Sequence, residues 1–136
     1  MGDEEIEAIK RRKMEKLLKR AQGAQGIEPA IDAPITLTDA TLPRAIAEHR
    51  VLVVDCWARW CAPCRRLAPV VDALAKQYAG RVVFGKVDVD KNPLTVRMYA
   101  IGSIPTLLFF KEGRLVGKKV GALPQPLLVE AVEALL

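Results

Sequence analysis

The rhythm of apolar and polar positions changes along the chain. Over residues 3–21, Ile6, Ile9, Met14, Leu17, Leu18 and Ala21 fall on roughly half of a 3.6-residue wheel among Glu, Lys and Arg. Acids open the stretch (Asp3, Glu4, Glu5, Glu7), and bases dominate its later part (Lys10, Arg11, Arg12, Lys13, Lys16, Lys19, Arg20). That polarity complements the helix macrodipole. The pattern predicts a charged amphipathic helix over residues 1–22, free to dock on the body, bind a partner or lie in solvent. Gly23-Ala24-Gln25-Gly26, followed by Pro29 and Pro34, reads as a linker over residues 23–34.

From Ile35 to the end, residues 35–136, short β-rich runs alternate with helical ones. Ile35–Leu37 reads as a short strand. Thr41 is placed to cap a helix through Glu48, with Pro43 tolerated in its first turn. Val51–Val54 is a continuous apolar run, as a strand buried on both faces shows. Residues 62–79 have helical spacing and stop at Gly80. Val82–Val89 reads as a strand, Asn92 and Pro93 open a short helix to about Tyr99, and Thr106–Phe110 is a further strand. Lys111-Glu112-Gly113-Arg114 has hairpin-turn chemistry, Leu115–Val120 returns, and Pro124–Leu136 closes with a helix. The alternation calls for parallel strands with crossover helices, and the hairpin adds antiparallel ones. The predicted fold class is α/β, a central mixed sheet flanked by helices and preceded by the N-terminal helix.

Composition narrows the class. The 136 residues suit one domain with an appendage, and 51% hydrophobic with 27% charged residues excludes wholesale disorder, collagen and a Cys-dense scaffold. A chain of this size folds without disulfide staples. The longest apolar stretches, Val51–Val54 and Ile104–Phe110, are far too short to span a bilayer, so no membrane partner is expected. The acidic start and the lack of an apolar h-region predict no secretory signal and a cytoplasmic location. The net charge is +5; residues 1–34 carry seven bases and seven acids, and residues 35–136 carry fourteen bases against nine acids. The seven aromatics do not interleave with the bases, which argues against a nucleic-acid partner. Three cysteines, an odd number in a reducing compartment, point to chemistry or metal binding rather than a disulfide framework.

The informative segment runs from Val53 through Trp57-Ala58-Arg59-Trp60-Cys61-Ala62-Pro63-Cys64. Two cysteines two residues apart, after a strand and opening a helix, suit dithiol chemistry, because one helical turn brings both sulfurs onto one face. The first sulfur sits where unpaired N–H groups and the macrodipole favour a thiolate. Pro63 loses no needed hydrogen bond in the first turn. Thiolate is the attacking species in disulfide exchange. A carboxylate at the end of an apolar strand, Asp55, should have a raised pKa.

Trp60-Cys61-Ala62-Pro63-Cys64 resembles the active-site loop of the thioredoxin family, and the resemblance extends over about residues 35–136. It takes in the Val53-Val54-Asp55 approach with Trp57-Ala58, Pro69 in the next helix, and Lys86 on the third strand. It continues through Asp88-x-Asp90-x-Asn92-Pro93, Ile104-Pro105-Thr106, Gly113 in the hairpin, and Val120-Gly121-Ala122. The resemblance implies a thioredoxin fold and a protein-disulfide reductase without a bound cofactor or metal. Its partners would be disulfide-containing target proteins and a thioredoxin reductase, and it would work as a monomer in cell redox homeostasis.

Site roles follow from the same resemblance. Cys61 would be the exposed nucleophile, and Cys64 the resolving thiol. Asp55 would lie beneath Cys64 and exchange its proton, with Lys86 beside it as charge partner. Pro105 would be cis and face the cysteines, leaving the Ile104 backbone free to pair with an extended target. Trp60, Ala62, Pro63, Ile104 and Ala122 would form an apolar contact surface, with Trp57 supporting the loop.

Two positions depart from the family pattern. Ala62 stands where glycine is usual, which bears on redox poise, and Cys56 stands where an aromatic is usual. Cys56 reads as a small core hydrophobe. It also creates a Cys56-x4-Cys61-x2-Cys64 spacing that partly matches an iron–sulfur pattern, but a fourth cysteine is lacking and His49 is the sole histidine. His49 instead reads as a helix C-terminal charge. A second functional reading is a binding or chaperone module that works through its N-terminal helix.

Overall fold

The computed structural model describes residues 2–24 and 30–136. The chain divides into two compact units, the first ending at Ala30 and the second running Ile31–Leu136. The first contains helix α1, Gly2–Ala24, with Asp3, Glu4 and Glu5 in its opening turn. α1 ends two residues beyond the expected limit at 22, since Gly23 and Ala24 continue the helix. Of the linker expected over 23–34, residues 25–29 lie outside the described residues. Ile6, Ile9 and Met14 are about half exposed. No helix among the described residues is long and apolar enough to cross a membrane.

In the second unit the order is β1 (Ile35–Leu37), α2 (Leu42–Glu48), β2 (Val51–Trp57), α3 (Ala62–Gln77), β3 (Val83–Asp88), α4 (Pro93–Met98), β4 (Thr106–Lys111), β5 (Arg114–Val120) and α5 (Gln125–Glu133). The strands form one sheet, β1-β3-β2-β4-β5. β3 is parallel to both β1 and β2, and β4 is antiparallel to both β2 and β5. The mixed sheet is therefore the expected one.

β2 lies at the centre and is buried from Val51 to Cys56. Its side chains alternate between two cores, as the strand period requires. Val51 and Val53 meet Leu67, Val71 and Leu74 of α3 and Leu128 and Val132 of α5. Leu52, Val54 and Cys56 meet Leu42 and Ala45 of α2, with Val96 of α4 packed alongside. The same alternation sends Asp55 and Trp57 to the α3 face and Cys56 to the opposite one. On β3, Phe84 belongs to the α3 core and Val87 to the other, so Lys86 shares a face with Asp55.

The hairpin between β4 and β5 turns through Glu112 (φ 51°) and Gly113 (φ 82°), two left-handed residues, as a tight turn compatible with strand twist requires. α3 ends at Gln77, two residues before the expected limit at 79, with Tyr78 as its C-cap, and the turn that follows passes through Gly80 at φ 85°. The far end of α3 is tied to α5 by the Tyr78 hydroxyl, which donates to Glu133 Oε1 at 2.7 Å.

Two helix starts differ from the sequence reading. Thr41 occupies the N-cap position of α2, but its side chain makes no cap hydrogen bond. Its hydroxyl instead accepts from the Thr38 N–H at 2.8 Å, because the turn before α2 folds back on itself. Asn92 precedes α4 without capping it. The cap comes from Asp39, more than fifty residues away: its carboxylate accepts from Leu94 N (3.1 Å), Thr95 N (2.8 Å) and Thr95 Oγ1 (2.7 Å). Asn92 serves as the brace, accepting from Asp39 N at 2.8 Å and donating to the Asp88 carbonyl at 2.8 Å. Desolvation pushes the Asp39 carboxyl upward, but the Thr95 and Leu94 hydrogen bonds outweigh it and leave the pKa below the usual aspartate value.

A depressed folded-state pKa stabilises the fold above the usual aspartate range and stops doing so as pH falls through the depressed value. Asp39→Ala is therefore expected to lower the melting temperature at pH 7 and to speed amide exchange in α4. The two melting curves should converge as pH falls through the depressed Asp39 pKa; a gap that does not change with pH across the acid range would contradict this role.

Candidate active site

β2 delivers the chain to a turn, Ala58-Arg59-Trp60, that launches α3. The Cys61 N–H donates to the Ala58 carbonyl at 3.2 Å and closes the turn. Arg65, in the first turn of α3, reaches back to donate from Nη1 to the Arg59 carbonyl at 2.8 Å. Cys61 is the N-cap residue of α3, and its Sγ accepts from the Cys64 N–H at 3.2 Å. Free amides and the helix dipole thus converge on that sulfur, the environment that lowers a thiol pKa. Cys61 and Cys64 are joined in a disulfide, with Cα atoms 5.2 Å apart.

Opposite stands the segment before β4. The Ile104–Pro105 peptide bond is cis. The Ile104 carbonyl oxygen lies 3.8 Å from Cys61 Sγ, close enough to accept the proton of a reduced thiol. The segment is fastened along its length. Lys118 Nζ donates to the carbonyls of Tyr99 (3.1 Å) and Ala100 (2.9 Å), Thr106 Oγ1 donates to the Ser103 carbonyl, and Gly121 N donates to the Pro105 carbonyl at 2.8 Å. The Gly121 bond brings Ala122 beside the cis proline.

The expected contact residues differ in exposure. Trp60 is 68% exposed, and its indole N–H donates to Asp90 Oδ2 at 2.9 Å. Ala62 and Ala122 are exposed, while Pro63 and Ile104 are half-buried. Cys61, expected to be exposed, is only 4% so, beside 3% for Cys64. Both pack with Ala58 in a small cluster against Trp57, Val89 and Ile104, which cover the sulfurs.

Asp55 is 1% exposed, and neither carboxylate oxygen has a hydrogen-bond partner. Burial raises its pKa from 3.8 to about 6; Lys86 opposes the rise and Asp72 adds to it. Lys86 is the register neighbour of Asp55 across β2 and β3. The two form no ion pair among the described residues, and the Lys86 ammonium lies 5.3 Å from the centroid of the Trp57 ring. The lysine acts on Asp55 through space while resting on an aromatic face. Cys56 is fully buried in the α2 and α4 core and remains a free thiol. Burial first, and the Asp55 charge second, push it up to about 12, with Lys118 opposing, so it stays a thiol at neutral pH.

The sequence reading passed over Asp90, Asp39, Arg65 and Lys118. Asp90 stood inside a recognised run, yet nothing along the chain pairs it with a tryptophan thirty residues earlier. The other three act through contacts that only folding creates.

A reversible disulfide at a helix N-terminus, faced by a cis proline on a mixed α/β sheet, defines a dithiol–disulfide oxidoreductase. The thioredoxin family model matches residues 33–134. Thioredoxin 1 of Nostoc sp. is 43% identical over 104 residues, covering 76% of this chain and 97% of that protein. Thioredoxin 1 of Synechococcus elongatus is 45% identical over 98 residues, covering 71% and 92%. A solved mutant thioredoxin from Halobacterium salinarum superimposes with a TM-score of 0.74 at 31% identity, covering 78% of this chain and 93% of that one. This chain belongs to the thioredoxin family and has the thioredoxin fold. It is a thiol–disulfide reductase that works by dithiol–disulfide exchange through Cys61 and Cys64. Proteins of this class act on disulfide-bonded targets and are themselves reduced by thioredoxin reductase. The matched span does not include α1.

The burial of Asp55 has a thermodynamic signature. Raising a carboxyl pKa from 3.8 to about 6 disfavours the folded, ionised form by about 3 kcal/mol. The Asp55 contribution to stability should be most favourable below about pH 4, fall as pH rises from about 4 to 6, and level off above. Asp55→Asn should be more stable than wild type by up to about 3 kcal/mol at pH 7, with the gap closing at pH 4. Urea unfolding of the oxidised protein at both pH values measures this; a gap that does not depend on pH would refute it.

Proposed function

We propose a cytoplasmic, monomeric protein-disulfide reductase in which each site residue has a distinct task. The Cys61 thiolate attacks one sulfur of a target disulfide, and the other target sulfur leaves as a thiolate and takes a proton. Cys64 then attacks Cys61 Sγ in the mixed disulfide. The second target thiolate leaves, the internal disulfide forms, and two electrons have passed to the target. The single observation that carries this assignment is the Cys64 N–H directed at Cys61 Sγ at the start of α3. It favours the ionised form of the outer sulfur.

Asp55 accepts the Cys64 proton as resolution begins. A pKa of about 6 supports that task, since it lies near the working pH while the group stays buried. Lys86 tunes the carboxyl by its positive charge. Trp60, Ala62, Pro63, Ile104 and Ala122 receive the target chain. The half-buried Ile104 and cis Pro105, across from Cys61, support a reading in which an extended target pairs with that backbone. The organisation proposed is an N-terminal helix, a linker and a catalytic domain over 35–136. The cytoplasmic assignment suits a reductant with a third, unpaired thiol at Cys56.

Insulin reduction by dithiothreitol tests the cycle. Wild type should accelerate precipitation and Cys61→Ser should abolish the acceleration, whereas Cys64→Ser should trap a mixed disulfide visible on a non-reducing gel. Wild-type activity in Cys61→Ser would overturn the nucleophile assignment. Deleting residues 1–33 should leave reductase activity intact; its loss would make α1 part of the catalytic unit.

A further inference from the structure

Three arginines frame the disulfide, Arg59 in the turn before Cys61 and Arg65 and Arg66 directly after Cys64. All three are exposed. The hydrogen bond from Arg65 to the Arg59 carbonyl holds one guanidinium over the turn that carries Cys61. Arg66 follows Ala62 by four residues in α3 and so shares its exposed face. None of the three is neutralised by an ion pair: those among the described residues are Arg44–Glu48 and Arg50–Glu112.

Two carboxylates stand near the site, each holding a neutral N–H rather than a cation. Asp90 accepts the Trp60 indole N–H, and Asp88 accepts the Asp90 N–H. Lys91 follows them in the same exposed turn. Across the disulfide, the lip formed by Gly102, Ser103, Ile104, Pro105, Gly121 and Ala122 carries no charge. Arg59, Arg65, Arg66 and Lys91 are four cations against the two carboxylates of Asp88 and Asp90, so the net charge offered to an incoming chain beside the sulfurs is positive, matching the excess of fourteen bases over nine acids in residues 35–136.

We infer that Arg59, Arg65 and Arg66 form a cationic rim that selects target disulfides flanked by Asp or Glu. This inference rests on the reductase reading and names its substrate class. The rim acts on encounter, raising the rate at which acidic targets reach Cys61, and it pairs with their carboxylates while the mixed disulfide lasts. Arginine suits both tasks, because it never loses its charge and binds carboxylates through a fixed fork.

The test uses the full reduced chain and three substrates: a disulfide-linked peptide flanked by glutamates, the same peptide flanked by lysines, and neutral hydroxyethyl disulfide. At low ionic strength the second-order rate constant for the glutamate peptide should exceed that for the lysine peptide by about tenfold or more, within the range electrostatic steering reaches. At about 1 M salt, where the screening length is about 3 Å, the ratio should fall toward one. The double variant Arg59→Ser, Arg66→Ser should cut the ratio severalfold, and Arg59→Glu with Arg66→Glu should invert it. Arg65 is left in place because it also fixes the turn.

A wild-type ratio within about twofold at low salt, with hydroxyethyl disulfide still reduced, overturns the rim and leaves the reductase reading standing. A large ratio that survives the arginine substitutions also overturns it, since the preference then arises elsewhere, as on the basic part of α1. Failure to reduce any of the three substrates overturns the reductase reading and the rim together.

Discussion

The chemistry of this protein depends on where α3 begins. Because the helix starts at Ala62, Cys61 falls at the N-cap and Cys64 one turn inside. The first orphan amides of the helix must find an acceptor, and one of them finds a sulfur. Move the start by one residue and the amide no longer points at Cys61, nor do the two sulfurs share a face. The turn is held in place from both sides, by the Ala58 carbonyl on the strand side and by Arg65 on the helix side.

The central strand supplies the second constraint. β2 must be apolar on both faces to sit between two cores, yet it carries Asp55 at a fully buried position without a hydrogen-bond partner. A carboxyl so placed opposes stability at neutral pH, and a purely structural strand would have no use for it. Its pKa near neutrality, set by burial and trimmed by Lys86 from the adjacent strand, is what the proposed proton-handling role requires.

The half of the site opposite α3 is built differently. The segment carrying Ile104 and cis Pro105 has no regular structure of its own, so other elements hold it. Lys118 from β5 secures its start, Gly121 secures its end, and Asp39 from beyond β1 anchors the helix that precedes it. A rigid dithiol loop thus faces a segment whose geometry is the sum of several long-range contacts.

Local order along the chain determined a great deal. The unbroken apolar run at Val51–Val54 marked the central strand, because only a strand buried on both faces lacks alternation. The Cys61-x-x-Cys64 spacing before a helical stretch marked the reactive pair, since one helical turn sets the sulfur separation. Lys111-Glu112-Gly113-Arg114 marked the hairpin, since a glycine there admits the backbone a tight turn needs. Tertiary structure decided what depends on distant partners. The α4 cap passed from Asn92 to Asp39, Lys86 settled on Trp57 without an ion pair to Asp55, Trp60 found Asp90, and Cys61 packed out of solvent beside Cys64. Backbone propensity and residue spacing are local quantities and can be read in order. Which donor meets which acceptor across fifty residues is fixed only when the sheet has brought them together.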